Sequence, residues 1–124
     1  MNVVDSSAWL SYFAGDNNAK IFAAAIEDTA QLIVPSIVLT EVFKRILQQR
    51  DEDAAIVATA HMRQGRVVAL DEQLAIDAAW LGVEHKLPLA DSIIYATARK
   101  YQATVWTQDA DFEKLDNVHY AAKT

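Results

Sequence analysis

Four carboxylates in this chain stand where strands end and helices begin or run: Asp5, Glu41, Asp91 and Asp109. Asp5 closes the apolar run Asn2-Val3-Val4, and Asp109 follows Val105-Trp106-Thr107-Gln108. Asp91 opens Asp91-Ser92-Ile93-Ile94-Tyr95-Ala96, and Glu41 lies within Ser36-Ile37-Val38-Leu39-Thr40-Glu41-Val42-Phe43. In a sheet flanked by helices such ends converge on one crevice, the usual ligand site of open α/β sheets. Four acids gathered there repel one another unless something neutralises them. A hard divalent cation is the simplest candidate.

The elements that must position these acids follow from hydrophobic periodicity and punctuation. Residues 2–5 read as a buried strand, and Ser6 and Ser7 can cap a helix expected at 7–14. Asp16-Asn17-Asn18 is a turn and cap before a helix at 17–29, followed by a short apolar strand from Gln31 to Pro35. Ser36 is expected to cap a helix at 37–50, and the acids Asp51-Glu52-Asp53 suit the positive end of the next helix, 52–64. A third strand runs from Arg66 to Leu70, then come helices at 72–85 and 90–101, separated by Pro88. Ala103–Thr107 is a fourth strand, Asp109–Leu115 a short helix, and Val118–Ala121 a fifth strand. Strands alternating with helices predict a three-layer α/β/α sandwich on a parallel sheet of about five strands, with right-handed crossovers.

Bulk composition narrows the function. A length of 124 residues predicts one domain over 1–124, and 52% hydrophobic residues exclude a disordered chain. With no cysteine there is no disulfide, thiolate zinc site or cysteine nucleophile. No basic leader and no membrane-length apolar run is present, so a cytoplasmic protein is expected. The net charge of −6 disfavours a nucleic-acid partner, which usually requires a basic footprint. That objection weakens if the acids hold metal, because Lys44, Arg45, Arg50, Lys86, Arg99 and Lys100 then remain to attract phosphate.

Each acid also has an ordinary structural reading. Asp5 could cap the first helix. Glu41 falls nearly opposite the stripe Leu39, Val42, Phe43 and Ile46, with Lys44 and Arg45 at i+3 and i+4, as on a solvated face. Asp91 sits in a first helical turn, and Asp109 and Asp111 resemble an N-cap and a first-turn acid. Other chemistries are less well supplied. Ser6 and Ser7 lack a glycine-flanked elbow, His61, His85 and His119 are isolated, and Gly15, Gly65 and Gly82 form no phosphate loop. Trp9, Trp80 and Trp106 are expected to pack the core rather than stack bases.

Taken together, four segments resemble one family. They are Val3-Val4-Asp5-Ser6-Ser7-Ala8, then Pro35-Ser36 through Glu41-Val42, then Leu87-Pro88-Leu89-Ala90-Asp91-Ser92-Ile93-Ile94-Tyr95-Ala96, and Val105-Trp106-Thr107-Gln108-Asp109-Ala110-Asp111-Phe112. Over nearly the whole chain the sequence resembles the PIN-domain nucleases, most closely the small VapC-type toxins of toxin–antitoxin pairs. The resemblance, and not the helical wheel, singles out Glu41. It implies a catalytic set of Asp5, Glu41, Asp91 and Asp109, with Mg²⁺ or Mn²⁺ on Asp5, Asp91 and Asp109. Glu41 would hold a second ion or a water, Asp111 would be auxiliary, and Ser7 and Thr107 would line the pocket. It further implies hydrolysis of RNA to a 5′-phosphate and a 3′-hydroxyl, a homodimer, and a cognate antitoxin whose tail places an Arg among the carboxylates. Lys44, Arg45, Arg50 and Arg99 are candidate RNA contacts. Two rival readings are a phosphoacceptor receiver domain using Asp71 after Val67-Val68-Ala69-Leu70, and a PIN scaffold without catalysis.

Overall fold

In the computed structural model, which describes Met1–Thr124, all five predicted strands form and lie in one sheet. They are β1 (Asn2–Val4), β2 (Leu32–Pro35), β3 (Arg66–Val68), β4 (Thr104–Thr107) and β5 (Val118–Tyr120). Every pairing is parallel, and the spatial order is β3-β2-β1-β4-β5. The chain therefore lays down three strands in one direction, then crosses back to place β4 on the far side of β1. The reversal opens a crevice between the carboxyl ends of β1 and β4, the switch point at which open α/β sheets bind ligands.

Six helices complete the fold: α1 (Ser6–Ala14), α2 (Ala19–Ile26), α3 (Ser36–Gln49), α4 (Glu52–Met62), α5 (Glu72–His85) and α6 (Leu89–Lys100). With helices over both faces, the central strands read as continuous apolar runs: Val3, Val4, Ile33 and Val34 are all fully buried. They belong to a cluster of 27 buried hydrophobic residues. On α3, Val38, Val42 and Ile46 recur at i, i+4 and i+8 and turn one stripe inward. α6 is different, because Ser92 through Ala98 are all buried, between the sheet and α5. Its charges are confined to its ends, Asp91 in the first turn and Arg99 and Lys100 in the last, as the helix dipole favours.

The ends of the elements depart from expectation in instructive ways. Asp5, not Ser6 or Ser7, caps α1, and both serines lie inside the helix. Pro35 occupies the N-cap of α3 with no capping side chain, so Ser36 is the first helical residue rather than the cap. The short helix after β4 is one 3₁₀ turn, Ala110–Phe112, and α2 is shorter than 17–29, with a separate 3₁₀ turn at Thr29–Gln31. Gly15 closes α1 at φ 66°, a left-handed conformation for which lack of a Cβ is suited. Trp80 corrects the core assignment: Trp9 is fully buried, but Trp80 is 75% exposed on the outer face of α5.

Candidate active site

Asp5 is the best-anchored residue of the crevice. The β1–β4 register sets Val4 opposite Trp106, and the Asp5 amide donates to the Trp106 carbonyl at 3.1 Å. This brings Asp5 level with Thr107, whose hydroxyl donates to Asp5 Oδ2 at 2.7 Å. Asp5 Oδ1 accepts from the Ser7 hydroxyl at 2.8 Å and from the Ala8 amide at 3.0 Å. The cap reading of Asp5 therefore holds without removing it from the crevice, because Oδ1 caps α1 while Oδ2 accepts from Thr107.

Asp91 arrives from the first turn of α6 and Asp109 from the loop after β4. Thr107 links the two sides, since its Oγ1 also accepts from the Asp109 amide at 2.8 Å. Asp109 Oδ1 in turn accepts from the Asp111 amide at 2.9 Å. Carboxylate oxygens of Asp91, Asp109 and Asp111 all lie within 4.8 Å of one another. The tightest grouping thus contains Asp111 as well as Asp109, while Asp5 stands just behind it. Glu41 comes from α3, and its Oε1 accepts a short hydrogen bond from the Ser6 hydroxyl. Its apparently solvated position on the wheel is the wall of the crevice.

The electrostatic consequence is visible in two groups. Burial, followed by the nearby Asp109, raises Asp5 from 3.8 to about 6 against the lowering effect of its three hydrogen bonds. Burial raises Asp91 from 3.8 to about 7, and Asp109, Asp5, Asp111 and Glu41 add like-charge repulsion. These causes show that Asp91 senses all four other acids. An all-oxygen, anionic donor set under mutual repulsion fits a hard divalent cation, which would relieve that repulsion.

Around the acids runs a groove of about 1120 Å³, lined by Asp5, Glu41, Asp91 and Asp109. It continues along an apolar wall that includes Leu10, Phe13 and Val57. Its volume exceeds the roughly 300–1,000 Å³ of ordinary small-molecule pockets, which suits part of a macromolecule. Of the basic residues singled out from sequence, Arg45 and Arg50 line this groove. Lys44 instead lines a separate shallow depression with Leu39, Phe43 and Leu47, and the Arg99 guanidinium stacks over Tyr95 at 5.8 Å. Among the groove residues that sequence reasoning did not single out are Ser6, Gln108 and Lys123. Ser6 had a signal in its adjacency to Asp5, but the contacts of Gln108 and Lys123 depend on long-range folding.

Asp71 occupies a different place. It caps α5 by accepting from the Leu74 amide at 2.8 Å, beyond the end of the edge strand β3. Receiver-like sheets run 2-1-3-4-5, which puts the third strand in the centre. Here the third strand is outermost, so the phosphoacceptor reading of Asp71 loses its site.

The fold and site define a three-layer α/β/α domain with an acidic crevice at its switch point. The family model named PIN domain matches residues 3–118, and the chain belongs to that family. No curated protein sequence matches it. Among solved structures, it is similar to a toxin–antitoxin complex from Klebsiella pneumoniae, with TM-score 0.79 and 23% identity over 96% of each chain. It is also similar to Mycobacterium tuberculosis VapC20, a Sarcin-Ricin loop cleaving toxin, with TM-score 0.79 and 22% identity over 95% of this chain and 97% of that one. FitAcB from Neisseria gonorrhoeae aligns with TM-score 0.72 and 18% identity over 98% and 97% of the two chains. At these identities the likeness is one of fold.

Proposed function

We propose that this PIN domain is a Mg²⁺- or Mn²⁺-dependent endoribonuclease and the toxin of a toxin–antitoxin pair. The observation that carries the reading is the convergence of Asp5, Glu41, Asp91 and Asp109, from four separate elements, on one groove at the switch point. Asp5, Asp91 and Asp109 would hold the ion, with Asp111 close enough to assist through water. When bound, the ion supplies an acidified water and neutralises charge on the phosphoryl oxygens.

The chain's own residues do the rest. Ser7, Thr107 and the Ala8 amide fix the orientation of Asp5, so that little reorganisation accompanies binding. Ser6 holds Glu41 toward the crevice, where it can accept a proton from, or orient, the attacking water. Water adds to phosphorus, the bond to the 3′ oxygen breaks, and the products are a 5′-phosphate and a 3′-hydroxyl. No side-chain nucleophile is required. Retention of all four acids argues against a scaffold without catalysis.

Two partners belong to the same proposal. The acidic floor and apolar wall of the groove suit an antitoxin segment carrying an Arg beside apolar side chains, because a guanidinium pairs bidentately with carboxylates. A homodimer would cover the outer face of α5, where Ile76, Trp80 and Val83 repeat at i, i+4 and i+7 and are 58%, 75% and 81% exposed. No helix is long and apolar enough to cross a membrane; a cytoplasmic location is part of the same proposal, since an RNA-cleaving toxin would meet its substrate there.

The test is cleavage of total RNA by the purified chain with Mn²⁺, with EDTA, and by Asp5→Asn and Asp91→Asn. Cleavage that needs the ion and disappears in both variants is expected. Cleavage that survives EDTA, or survives in both variants, would overturn the proposal.

A further inference from the structure

Asn18 holds the N-cap position of α2, yet its side chain makes no capping hydrogen bond. An asparagine there usually accepts from the amides of the first helical turn. Instead its amide group, on a residue only 6% exposed, is turned to two distant segments. Nδ2 donates to Gln108 Oε1 at 3.0 Å and to the Ala122 carbonyl at 3.0 Å. Gln108 is itself tied to α1, donating through its backbone amide to Ser7 Oγ at 3.3 Å and through Nε2 to the Ser7 carbonyl at 3.4 Å. A further bond from the Ala121 amide to the Thr107 carbonyl, 2.9 Å, lays the segment after β5 along the rim of the crevice. Asn18 thus joins the α1–α2 turn, the loop after β4 and the end segment into one clamp.

The residue after the clamped Ala122 is Lys123, which lines the same groove as Asp16, Gln108 and Asp109. The one lysine or arginine paired with a carboxylate is Lys100, on Asp71, so the Lys123 ammonium is bound to no carboxylate. Arg45 on α3 and Arg50 just after its end, which line the same groove, are equally unpaired. A strand of RNA crossing an acidic floor needs cations on the rim to hold its phosphates, and free ones are the most available.

We propose that Lys123 is a phosphate-binding residue of the RNA groove and that Asn18 is its positioning residue. This rests on the nuclease reading and deepens it, by giving the substrate strand a contact on the Asp109 side of the crevice. It also explains why a buried asparagine forgoes its helix cap.

The experiment measures binding of a short, unstructured, fluorescein-labelled RNA to the full chain carrying the cleavage-blocking Asp91→Asn change. Anisotropy titrations run at several salt concentrations between about 50 and about 200 mM. With Lys123→Ala the binding should weaken and the slope of log affinity against log salt should fall by about 0.7, the loss of one single-strand phosphate contact. Lys123→Arg should restore the slope. Lys114→Glu alters the charge of an exposed lysine that does not line the groove, and should leave the slope unchanged. In the cleaving background, Lys123→Ala and Asn18→Ala should raise KM with kcat unchanged, and circular dichroism establishes that Asn18→Ala is folded. An unchanged slope in Lys123→Ala, or an equal loss in Lys114→Glu, overturns the assignment of Lys123. If Lys123→Ala behaves as expected but folded Asn18→Ala keeps the parental KM, the positioning role falls. If the unsubstituted chain cleaves RNA while Lys123→Ala is indistinguishable from it, only this inference fails. If it neither binds nor cleaves RNA, the nuclease reading fails with it.

Discussion

Asp5 and Asp71 are made by the same local rule and meet opposite fates. Each follows a short strand, each precedes a helix, and each caps that helix through the amide three residues on, at 3.0 Å in one case and 2.8 Å in the other. Asp5 is 2% exposed at the end of the central strand β1, with other acids aimed at it from α6 and the loop after β4. Asp71 is exposed at the sheet edge, and its one ionic neighbour is the Lys100 ammonium at 3.9 Å. The strand–aspartate–helix pattern supplies a cap in both places. The position of the strand within the sheet decides which cap joins an acidic cluster.

The largest expected contrast is in catalysis. Asp5→Asn and Asp91→Asn should each lower Mn²⁺-dependent RNA cleavage by more than about 100-fold, beyond the ~10–100-fold typical of residues that only orient metal ligands. Asp71→Asn should leave the rate at the parental level, since asparagine caps a helix as well as aspartate. Rates from gel-resolved time courses decide it. Equal losses at Asp5 and Asp71 would erase the distinction between the two places.

That contrast also marks how far the sequence could be read. Short apolar runs, helix-length stretches and the caps and prolines between them made the strands and helices visible, because these are local properties. Asp5 was legible as a cap and Asp91 as a first-turn acid for the same reason. Strand order was not, because which strand lies beside β1 depends on crossovers that no local pattern encodes. Glu41 shows the cost of that gap. Its wheel position opposite the buried stripe reads as solvent-facing, and the crevice that this face borders exists only after β4 has been placed next to β1. Trp80 is the converse, a large apolar residue whose helix leaves it outside the core.

Stability should separate the two aspartates next, with a sign fixed by the shifted pKa. In the metal-free protein burial raises the Asp5 carboxyl from 3.8 to about 6. A carboxyl that holds its proton more tightly when folded favours folding fully below about 3.8, and loses that contribution as pH rises through about 6. At about 1.4 kcal/mol per pKa unit the deficit at neutral pH is about 3 kcal/mol, less whatever hydrogen bonding an amide fails to reproduce. Asp5→Asn should therefore stabilise the metal-free protein by about 2 kcal/mol at pH above about 7 and by nothing near pH about 4. Asp71→Asn should change stability by a few tenths of a kcal/mol at most. Urea unfolding in EDTA across this pH range measures both, and a destabilised Asp5→Asn at neutral pH would contradict the burial argument.

Thr107 tests whether the difference lies in the aspartate or in what holds it. Its hydroxyl donates to Asp5 and accepts from the Asp109 amide, and Asp71 has no such partner. Thr107→Val keeps the shape and removes both bonds. Cleavage should fall by about 10-fold, the lower part of the range for a residue that orients ligands. Because the hydroxyl holds the Asp5 pKa down, the pH at which cleavage reaches half its maximum should move upward. A reduced rate with an unmoved pH profile would show that Thr107 acts on Asp109 alone.

The smallest effect is expected within the crevice, between Asp109 and Asp111. Both place an oxygen within 4.8 Å of Asp91, so proximity does not rank them. Their anchoring does. The Asp109 amide is bonded to Thr107 and its side chain caps the 3₁₀ turn, whereas Asp111 is exposed and supplies the amide that Asp109 accepts. An exposed carboxylate acting through solvent is worth about 0.5–1 kcal/mol, which is about two- to fivefold in rate. Asp111→Asn should cost that much, while Asp109→Asn should approach the loss in Asp5→Asn. Mn²⁺ titration of the cleavage rate distinguishes the two, with a weakened half-saturation in Asp109→Asn and a nearly parental one in Asp111→Asn. If Asp111→Asn instead weakens Mn²⁺ as much as Asp109→Asn, the metal is held by the exposed tip of the loop as firmly as by its anchored base. Burial would then cease to be what distinguishes a working aspartate from a capping one.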